Sequence, residues 1–382
     1  MSKNNHWNND TPSDKDILKK TVLCLIATRA IIFLTAVISL EIVPKGEFFI
    51  GGAKDILGAF FRWDSNWFMS VITKGYWFDP AIPSNINFFP VFPLVTKALS
   101  FFTGNIIGIM ESGYLVSNLS LLFAGFFLYK LVQMEFNSKD ISDKTLFLFF
   151  ISPMSFFFSI FYSEGIFLFF IITSFYFARK KECGKAGVLG FLAALTRAPG
   201  IFIVIPLMLE YFTGKNGRFE FRIEKIRKNM LFIFLVPIAT LIYFAYLFLE
   251  FHDPFAYQKN MMHWSMWLAT PIHTIINSFG HSSGYQFIFL SAIIIAIILA
   301  VVIYKVRLRP SYLIYSETLI LFHLSTNIPD SLPRYLSVIF PIYIALVLVS
   351  QKHDIIYKGL VAASVIGLIT FTALFVNGYW IV

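Results

Sequence analysis

Apolar runs of about 20 residues recur along the whole chain, and a helix needs about this length to cross the hydrocarbon core of a bilayer. Of the 382 residues, 57% are hydrophobic and 14% are charged, and the mean hydropathy is +0.71. These values exclude an ordinary soluble domain. The sequence therefore predicts an all-α polytopic transmembrane bundle, with a single domain over 19–382 after a disordered cytoplasmic tail at 1–18.

Basic loops set the expected orientation of this bundle. The net charge of +9 is explained by cytoplasmic loops that hold lysine and arginine, so we expect no nucleic-acid partner. Three such loops, 179–185, 215–228 and 305–309, are placed on the cytoplasmic side. The first span, 21–43, is too long for a signal-peptide core and is expected to remain as an anchor. The loop after it then lies outside the cytoplasm.

Alternation between these loops predicts nine full crossings and two partial ones. One partial segment is 90–108, and the other is 186–211, which has basic residues at both ends. We expect 186–211 to be two half-helices broken at Thr196-Arg197-Ala198-Pro199-Gly200, because proline and glycine end helices. Broken backbone at membrane depth lies against protein or a cavity, so Arg197 is expected at a re-entrant tip. The other spans are predicted near 112–134, 145–161, 163–179, 229–250, 285–305, 312–328, 334–350 and 357–377.

The first outer loop, 44–89, contains the run Arg62-Trp63-Asp64-Ser65-Asn66-Trp67. Its many aromatic residues favour short helices lying at the membrane interface over disorder. Asp64, wrapped in tryptophan and paired with Arg62, is a candidate general base. The alternative is an aromatic belt at the headgroup level in which both charges are solvated.

Further polar residues are predicted on the same outer face. Glu164 lies at the tip of the hairpin 161–164, and Arg197 and Arg334 lie at membrane depth, where charges are costly and mark function. For Arg197 the alternative is a structural salt bridge to Glu164, and Arg334 could simply extend to the interface. His263 lies among methionines and tryptophans, a setting more typical of an interfacial histidine than of a ligand. The two cysteines, Cys24 and Cys183, predict no disulfide framework.

Two arginines and two acids near hydrocarbon describe a site for an amphiphile with an anionic head, since arginine pairs with phosphate through its planar fork. The sequence contains no P-loop, no dinucleotide-binding glycine motif and no ligand set with metal spacing. We therefore expect neither a cofactor nor a metal. An activated group would arrive on a lipid phosphate.

The order of these motifs resembles the PIG-V-type mannosyltransferases of the GT-C superfamily. The resemblance extends from the first span to Gly378-Tyr379-Trp380 and favours a prokaryotic member. The motifs that carry it are Arg62-Trp63-Asp64, Trp67, Gly75-Tyr76, Phe88-Phe89-Pro90, Phe92-Pro93-Leu94, Ser152-Pro153, Tyr162-Ser163-Glu164, Thr196-Arg197 and Pro333-Arg334-Tyr335.

The resemblance implies a mechanism. A hexose, expected to be mannose, moves from a polyprenyl or dolichyl phosphate donor to a lipid- or glycan-linked acceptor with inversion at the anomeric carbon. Asp64 is the expected base and Glu164 the second acid, and Arg197 and Arg334 are expected to bind the donor phosphate. The expected substrate and loop residues are Arg62, Trp63, Trp67, Tyr76, Tyr335 and His263.

The expected location is the plasma membrane of a prokaryote, or the endoplasmic reticulum of a eukaryote, with the active site facing away from the cytoplasm. One alternative function is a transporter or flippase that uses Asp64, Glu164 and Arg197 as coupling charges. Transporters commonly show internal repeats, and no repeat stands out in this sequence. A second alternative is a lipid A or phosphotransfer enzyme of similar architecture.

Overall fold

A computed structural model describes residues 12–49, 56–214, 219–221 and 227–381. In these ranges the chain is helical, and the only β pairings are isolated bridges at Thr213–Phe219 and Leu268–Thr326. Short 3₁₀ helices cover Asn85–Asn87, Ser155–Phe158, Ala198–Ile203 and Lys228–Phe234. The α-helices are α1 Asp14–Ile42, α2 Ile56–Phe60, α3 Asp64–Lys74, α4 Val91–Phe102, α5 Ile109–Phe136, α6 Lys139–Ile151, α7 Glu164–Arg179, α8 Cys183–Ala194, α9 Val204–Phe212, α10 Leu235–Phe251, α11 Ala256–Met262, α12 Pro271–Ser278, α13 Ser283–Lys305, α14 Pro310–Leu324, α15 Leu332–Ser337, α16 Pro341–Ser350 and α17 Asp354–Val376.

Five helical segments in the described ranges are long and apolar enough to cross a membrane alone. They are α1, α5, the 3₁₀ helix and α10 together over Lys228–Phe251, the Gln286–Lys305 part of α13, and α17. Their lipid-compatible surfaces agree with a polytopic membrane protein, as the sequence predicts. The count of nine full crossings stays a prediction, because the other apolar helices are shorter.

Two of the predicted spans are interrupted. The helix expected over 145–161 ends at Ile151, and a 3₁₀ turn follows Ser152-Pro153. The span expected over 334–350 is divided into α15 and α16, and α16 begins at Pro341. Proline explains both breaks, because it has no backbone N–H to donate and restricts the residue before it. Hydropathy is high on both sides of each break, so hydropathy alone predicts two continuous spans.

The break predicted inside 186–211 is confirmed. The helix α8 ends at Ala194, and Thr196 and Arg197 form an irregular connection to the 3₁₀ helix at Ala198–Ile203. Gly200 is required there, since a Cβ atom would lie 2.4 Å from the carbonyl oxygen of Ala193. Arg197 is therefore held on a connection that doubles back onto α8. Its re-entrant depth in the bilayer stays a prediction.

The predicted disordered tail at 1–18 is wrong for its last residues, and residues 1–11 lie outside the described ranges. The helix α1 begins at Asp14, and a capping box joins Ser13 and Asp16. Each of the two side chains satisfies a backbone N–H that the first turn would leave unpaired. Asp14 also accepts a 2.8 Å hydrogen bond from Lys130 on α5, so this end of the helix is tied to the bundle.

Close packing of α5 against α7 fixes the start of α7, which carries Glu164. A Cβ atom at Gly165 would lie 2.8 Å from the carbonyl oxygen of Ser117 on α5 and 2.3 Å from that of Phe158. Ser117 also donates a 3.0 Å hydrogen bond to the carbonyl oxygen of Tyr162. The segment that leads into α7 is therefore held in one position by backbone contacts as well as by packing.

The beginning of the first outer loop is held by the end of α17. The backbone N–H of Gly46 donates to the carbonyl of Asn377 at 2.8 Å, and that of Phe48 donates to Gly378 at 3.1 Å. Gly378 has a φ of +82°, and a Cβ atom there would lie 2.4 Å from the amide nitrogen of Phe49. Only glycine combines that backbone angle with so close an approach.

A buried ionic network closes the other end of α7. Arg309 donates to both carboxylate oxygens of Glu210 at 2.5 and 3.1 Å, and Ser311 donates to the same group at 2.5 Å. Arg179, the last residue of α7, lies 2.8 Å from Glu135 of α5. The network ties α5, α7, α9 and the start of α14 together. It is separated from Glu164 by the length of α7, about 24 Å at 1.5 Å per residue.

Candidate active site

Asp64 is the first residue of α3, so its carboxylate lies where the helix dipole favours negative charge. The residue before it, Trp63, has a φ of 47°, an uncommon angle for an aromatic residue. Tyr162 holds this turn: its hydroxyl donates to the carbonyl of Arg62 at 3.2 Å and accepts from the backbone N–H of Asp64 at 3.3 Å. The turn therefore holds the backbone of Asp64 in a fixed position.

Arg334 of α15 is the arginine that pairs with Asp64. Its Nη1 donates to Oδ2 of Asp64 at 2.7 Å, and its Nε lies 3.5 Å from Oε1 of Glu164. The guanidinium lies over the ring of Tyr162 at 5.4 Å and over that of Tyr335 at 5.1 Å. Arg334 is buried, which strengthens each of these electrostatic contacts.

Glu164, at the start of α7, is shared by both candidate phosphate-binding arginines. Its Oε1 lies 2.7 Å from Nη1 of Arg197, in addition to the contact with Arg334. Arg197 also donates to the hydroxyl of Ser163 at 3.0 Å and lies over the Tyr335 ring at 5.6 Å. The salt bridge between Arg197 and Glu164 that the sequence left as an alternative is therefore present.

These four side chains form a continuous ion chain, Asp64–Arg334–Glu164–Arg197, with two charges of each sign. The two acids differ in access. The Asp64 side chain is 24% exposed, whereas that of Glu164 is completely buried. Asp64 is therefore accessible from outside the ion chain, whereas Glu164 is enclosed with the two arginines. Each planar guanidinium can also exchange a carboxylate for a phosphate without changing the geometry of its bonds.

Arg62 does not pair with Asp64, so the predicted Arg62–Asp64 pair is wrong. Its guanidinium turns away and donates to three backbone carbonyls: those of Ala59 and Val376 at 2.9 Å and that of Phe48 at 3.3 Å. Burial lowers the pKa of the Arg62 guanidinium. This arginine holds the outer loop against the end of α17, and its donors in this structure are engaged by protein.

The aromatic residues of the predicted site fall into separate places. Trp63 packs edge-on against Phe375 and Trp380, with ring centres 4.6 and 5.5 Å apart, so it anchors the turn. Trp67 is only partly buried and borders a cavity of about 490 Å³. Tyr76 donates its hydroxyl to the carbonyl of Phe88 at 2.7 Å.

His263 follows α11 and lies outside the ion chain. It is exposed, and its Nε2 lies 3.1 Å from the carbonyl oxygen of Pro80 in the first outer loop. That contact joins the first loop to the connection after α10. It matches the interfacial alternative more closely than a substrate ligand.

Asp330, which the sequence places on the same outer face as Arg334, was assigned no role in the predicted site. Its Oδ1 accepts hydrogen bonds from Trp380 Nε1 at 3.2 Å and from the backbone N–H of Ser331 at 3.1 Å. Burial raises the pKa of Asp330 to about 6. The hydrogen bond from Trp380 and the positive charge of Arg334 lower this pKa, but their effect is smaller than that of burial. The available sequence signal was an acid four residues before Arg334. His323 was also missed; it stacks on Tyr335 with ring centres 4.5 Å apart.

Among the described residues, no group of three or more histidine, cysteine, aspartate or glutamate side chains lies close enough to hold a metal. The predicted absence of a metal or cofactor stays a prediction.

The family model described as mannosyltransferase (PIG-V) matches residues 21–349. The chain belongs to this family. The match contains every member of the ion chain, from Asp64 to Arg334. A search of curated proteins finds no match.

The fold of this PIG-V family member is similar to that of solved proteins, among them ArnT. ArnT from Cupriavidus metallidurans, solved with undecaprenyl phosphate bound, is 15% identical with a TM-score of 0.50, over 87% of this chain and 60% of ArnT. The Archaeoglobus fulgidus oligosaccharyltransferase is 13% identical with a TM-score of 0.42, over 92% of this chain and 53% of that protein. This chain therefore shares the fold of ArnT, and it spans about 60% of the length of ArnT.

Proposed function

We propose that this protein is a membrane glycosyltransferase that transfers a hexose, mannose by its family, from a polyprenyl or dolichyl phosphate donor to a lipid- or glycan-linked acceptor. The observation that carries the proposal is the 2.7 Å contact between Arg334 and Asp64 within the ion chain. It places an accessible carboxylate next to a buried guanidinium. Transfer of a hexose from a lipid phosphate needs both, a base for the acceptor hydroxyl and a cation for the departing phosphate.

In the proposed reaction the acceptor hydroxyl loses its proton to Asp64 as its oxygen attacks the anomeric carbon. The bond between that carbon and the phosphate oxygen breaks, and the electron pair leaves with the lipid phosphate. The guanidinium groups of Arg334 and Arg197 stabilise the negative charge that develops on the departing phosphate. Stabilisation of this kind is usually the largest electrostatic contribution to such a step. Glu164 holds the two arginines in position.

A single displacement fits this site because Asp64 is the accessible carboxylate of the ion chain and Glu164 is sealed. A covalent sugar intermediate would need a second carboxylate on the opposite face of the sugar. Inversion of a β-linked donor would therefore give an α-glycoside.

Two observations support a lipid-linked donor. The arginines lie beside apolar helices, so an isoprenoid chain could stay in the bilayer while its phosphate reaches Arg197. ArnT, which shares the fold, was solved with undecaprenyl phosphate bound. A phosphate between two guanidinium groups would replace part of the ion pairing that each makes with a carboxylate.

The proposed orientation places the ion chain on the extracytoplasmic side, in the plasma membrane of a prokaryote or the endoplasmic reticulum of a eukaryote. The support is the charge distribution: the ionic end of α7 at Arg179 begins the basic stretch 179–185. Basic loops stay in the cytoplasm, and Glu164 is at the opposite end of the same helix.

The deciding experiment is to incubate the purified protein in lipid with radiolabelled polyprenyl-phosphate mannose and an alkyl glycoside acceptor. Release of free polyprenyl phosphate together with a labelled glycoside supports the proposal, and Asp64→Asn should lower the rate of both by about 10²–10⁴. Glu47→Gln, which changes an exposed carboxylate of the same loop, is the matched control. A transporter would move substrate without forming any glycoside.

A further inference from the structure

A cavity of about 490 Å³ lies beside α3, the helix that begins with Asp64. It is lined by Asn66, Trp67, Ser70, Lys74 and Trp77. Trp67 lies about one turn beyond Asp64 on this helix, and Lys74 lies about 15 Å from Asp64 along the helix axis at 1.5 Å per residue. The volume falls within the range of small-molecule sites. The ion chain uses none of these five side chains.

The two tryptophan rings of this cavity are held in place by their neighbours. Trp67 stacks on Phe88 at 5.9 Å and meets Trp264 edge-on at 5.4 Å. Trp77 lies 6.4 Å from Trp67 and donates from its ring nitrogen to Ser70 at 3.4 Å. A ligand would therefore meet a preformed aromatic wall and would not have to order it.

Asn85 fixes the position of Trp77 from behind. Its Oδ1 accepts from the backbone N–H of Trp77 at 3.0 Å, and its Nδ2 donates to Ser70 at 3.1 Å and to the carbonyl of Gly75 at 2.9 Å. Asn85 is fully buried. These hydrogen bonds give Trp77 a defined position although it lies in the loop after α3.

The rim of the cavity is polar. Asn66 and Lys74 are both exposed, one at each end of this stretch of α3. The amide of asparagine offers donors and an acceptor, and the lysine ammonium offers three donors. An aromatic wall with hydrogen-bonding groups along one edge matches a sugar, which has an apolar face and a polar edge. A lipid chain has no polar edge with which to pair those groups.

We propose that this cavity is an acceptor subsite that binds a sugar unit beyond the one whose hydroxyl reacts at Asp64. This inference rests on the proposed function, because it assigns the reacting hydroxyl to Asp64. The acceptor class that follows is a glycan of at least two sugar units, with its remote sugar against Trp77 and its hydroxyls toward Asn66 and Lys74.

The test compares octyl glycosides of one and three sugar units, in matched mannose, glucose and N-acetylglucosamine series, as acceptors for the full-length protein in lipid. We expect at least one series to show a KM several-fold lower for the trisaccharide. Loss of one aromatic contact is worth about 0.5–1.5 kcal/mol, so Trp77→Ala should raise the trisaccharide KM by about two- to tenfold. Trp77→Phe should restore most of the preference. Phe102→Ala removes an exposed ring outside the cavity and is the matched control.

Binding of the same trisaccharides without donor, followed by tryptophan fluorescence, separates the two proposals. Saturable quenching that is lost in Trp77→Ala supports the subsite. If no glycoside forms while this quenching is seen, the proposed transferase activity is wrong and the subsite is retained. If transfer occurs but the KM is the same for one and three sugar units in every series, the subsite proposal is wrong and the transferase proposal is retained. An equal rise of KM for one and three units in Trp77→Ala also overturns the subsite proposal, since it would show that Trp77 only supports the fold.

Discussion

Arg334 donates a 2.7 Å hydrogen bond to Asp64 and at the same time lies 3.5 Å from Glu164, so one buried guanidinium serves two carboxylates. A donor phosphate that engages Arg334 would compete with Asp64 for it. Asp64 would then be released as a hydrogen-bond acceptor for the incoming hydroxyl. This geometry favours binding of the donor before the acceptor, because the base is engaged until phosphate arrives.

Asp64→Asn keeps the shape of the side chain but cannot take up the proton. We expect turnover to fall by about 10²–10⁴, with the fold and donor binding retained. Product formation and donor binding are measured side by side on the same preparation.

Glu47→Gln, an exposed carboxylate change in the same loop, should leave turnover close to that of the unchanged protein. Turnover within a few-fold of normal in Asp64→Asn would place the base elsewhere, and Glu164→Gln would be tested next. It would also favour an interfacial role for Asp64.

Arg197→Ala should weaken donor binding about 10- to 100-fold, since a hydrogen bond to a charged group is worth about 1.5–3 kcal/mol. Arg197→Lys should recover little, because a point charge replaces a planar fork. The measurement is the affinity for polyprenyl-phosphate mannose in lipid.

Arg227→Ala, which removes an exposed arginine, serves as the control for a change of net charge. Normal donor affinity in Arg197→Ala, accompanied by a lower melting temperature, would assign Arg197 to its salt bridge with Glu164. Arg334 would then be the donor ligand.

Asp330 makes the stability of the protein depend on pH. Burial raises the pKa of Asp330 in the folded state from 3.8 to about 6. The contribution of the protonated carboxyl to the free energy of unfolding is therefore fully present below about pH 4 and is lost as the pH rises through 6. Since one pKa unit corresponds to about 1.4 kcal/mol, keeping Asp330 charged costs up to about 3 kcal/mol. Asp330→Asn keeps the acceptor for Trp380 and should raise the melting temperature in detergent at pH 7.5.

The same variant should show a smaller gain at pH 4.5, where the carboxyl of Asp330 is protonated in the folded state and no buried charge remains. An equal gain at both pH values would mean that the charge of Asp330 is not the cause.

The orientation of the bundle is testable by labelling. A cysteine introduced in the basic stretch 215–228, for example Arg218→Cys, should react only with reagents that enter the cytoplasm. Glu47→Cys in the first loop should react with an impermeant reagent added outside. Outside labelling of 215–228 would overturn the predicted orientation and the expected re-entrant position of Arg197.

The sequence predicted much of this architecture because its signals are local. Proline and glycine at Thr196-Arg197-Ala198-Pro199-Gly200 mark a break that the structure contains, and the aromatic first loop does form short helices. The divided span at α15 and α16 carried a local signal, Pro341, but strong hydropathy on both sides masked it.

The partners of the charged groups could not be predicted in the same way. Arg62 is two residues from Asp64 and was the natural partner, yet Arg334 occupies that place from 270 residues away. The strained turn at Trp63 points Arg62 toward the carbonyls of Ala59 and Val376 instead. Long-range pairing depends on the packing of whole helices, which no local pattern encodes.

The contacts between the first outer loop and the end of α17 bear on the order in which the protein is made. Gly46 and Phe48 bond to Asn377 and Gly378, and Trp63 packs on Trp380. Chains fold from the N-terminal side as they leave the ribosome, so Asp64 is synthesised more than 300 residues before these supports exist. The proposed base therefore reaches its working position only after residue 380 has been translated, and ribosome-bound chains that stop short of α17 should be inactive.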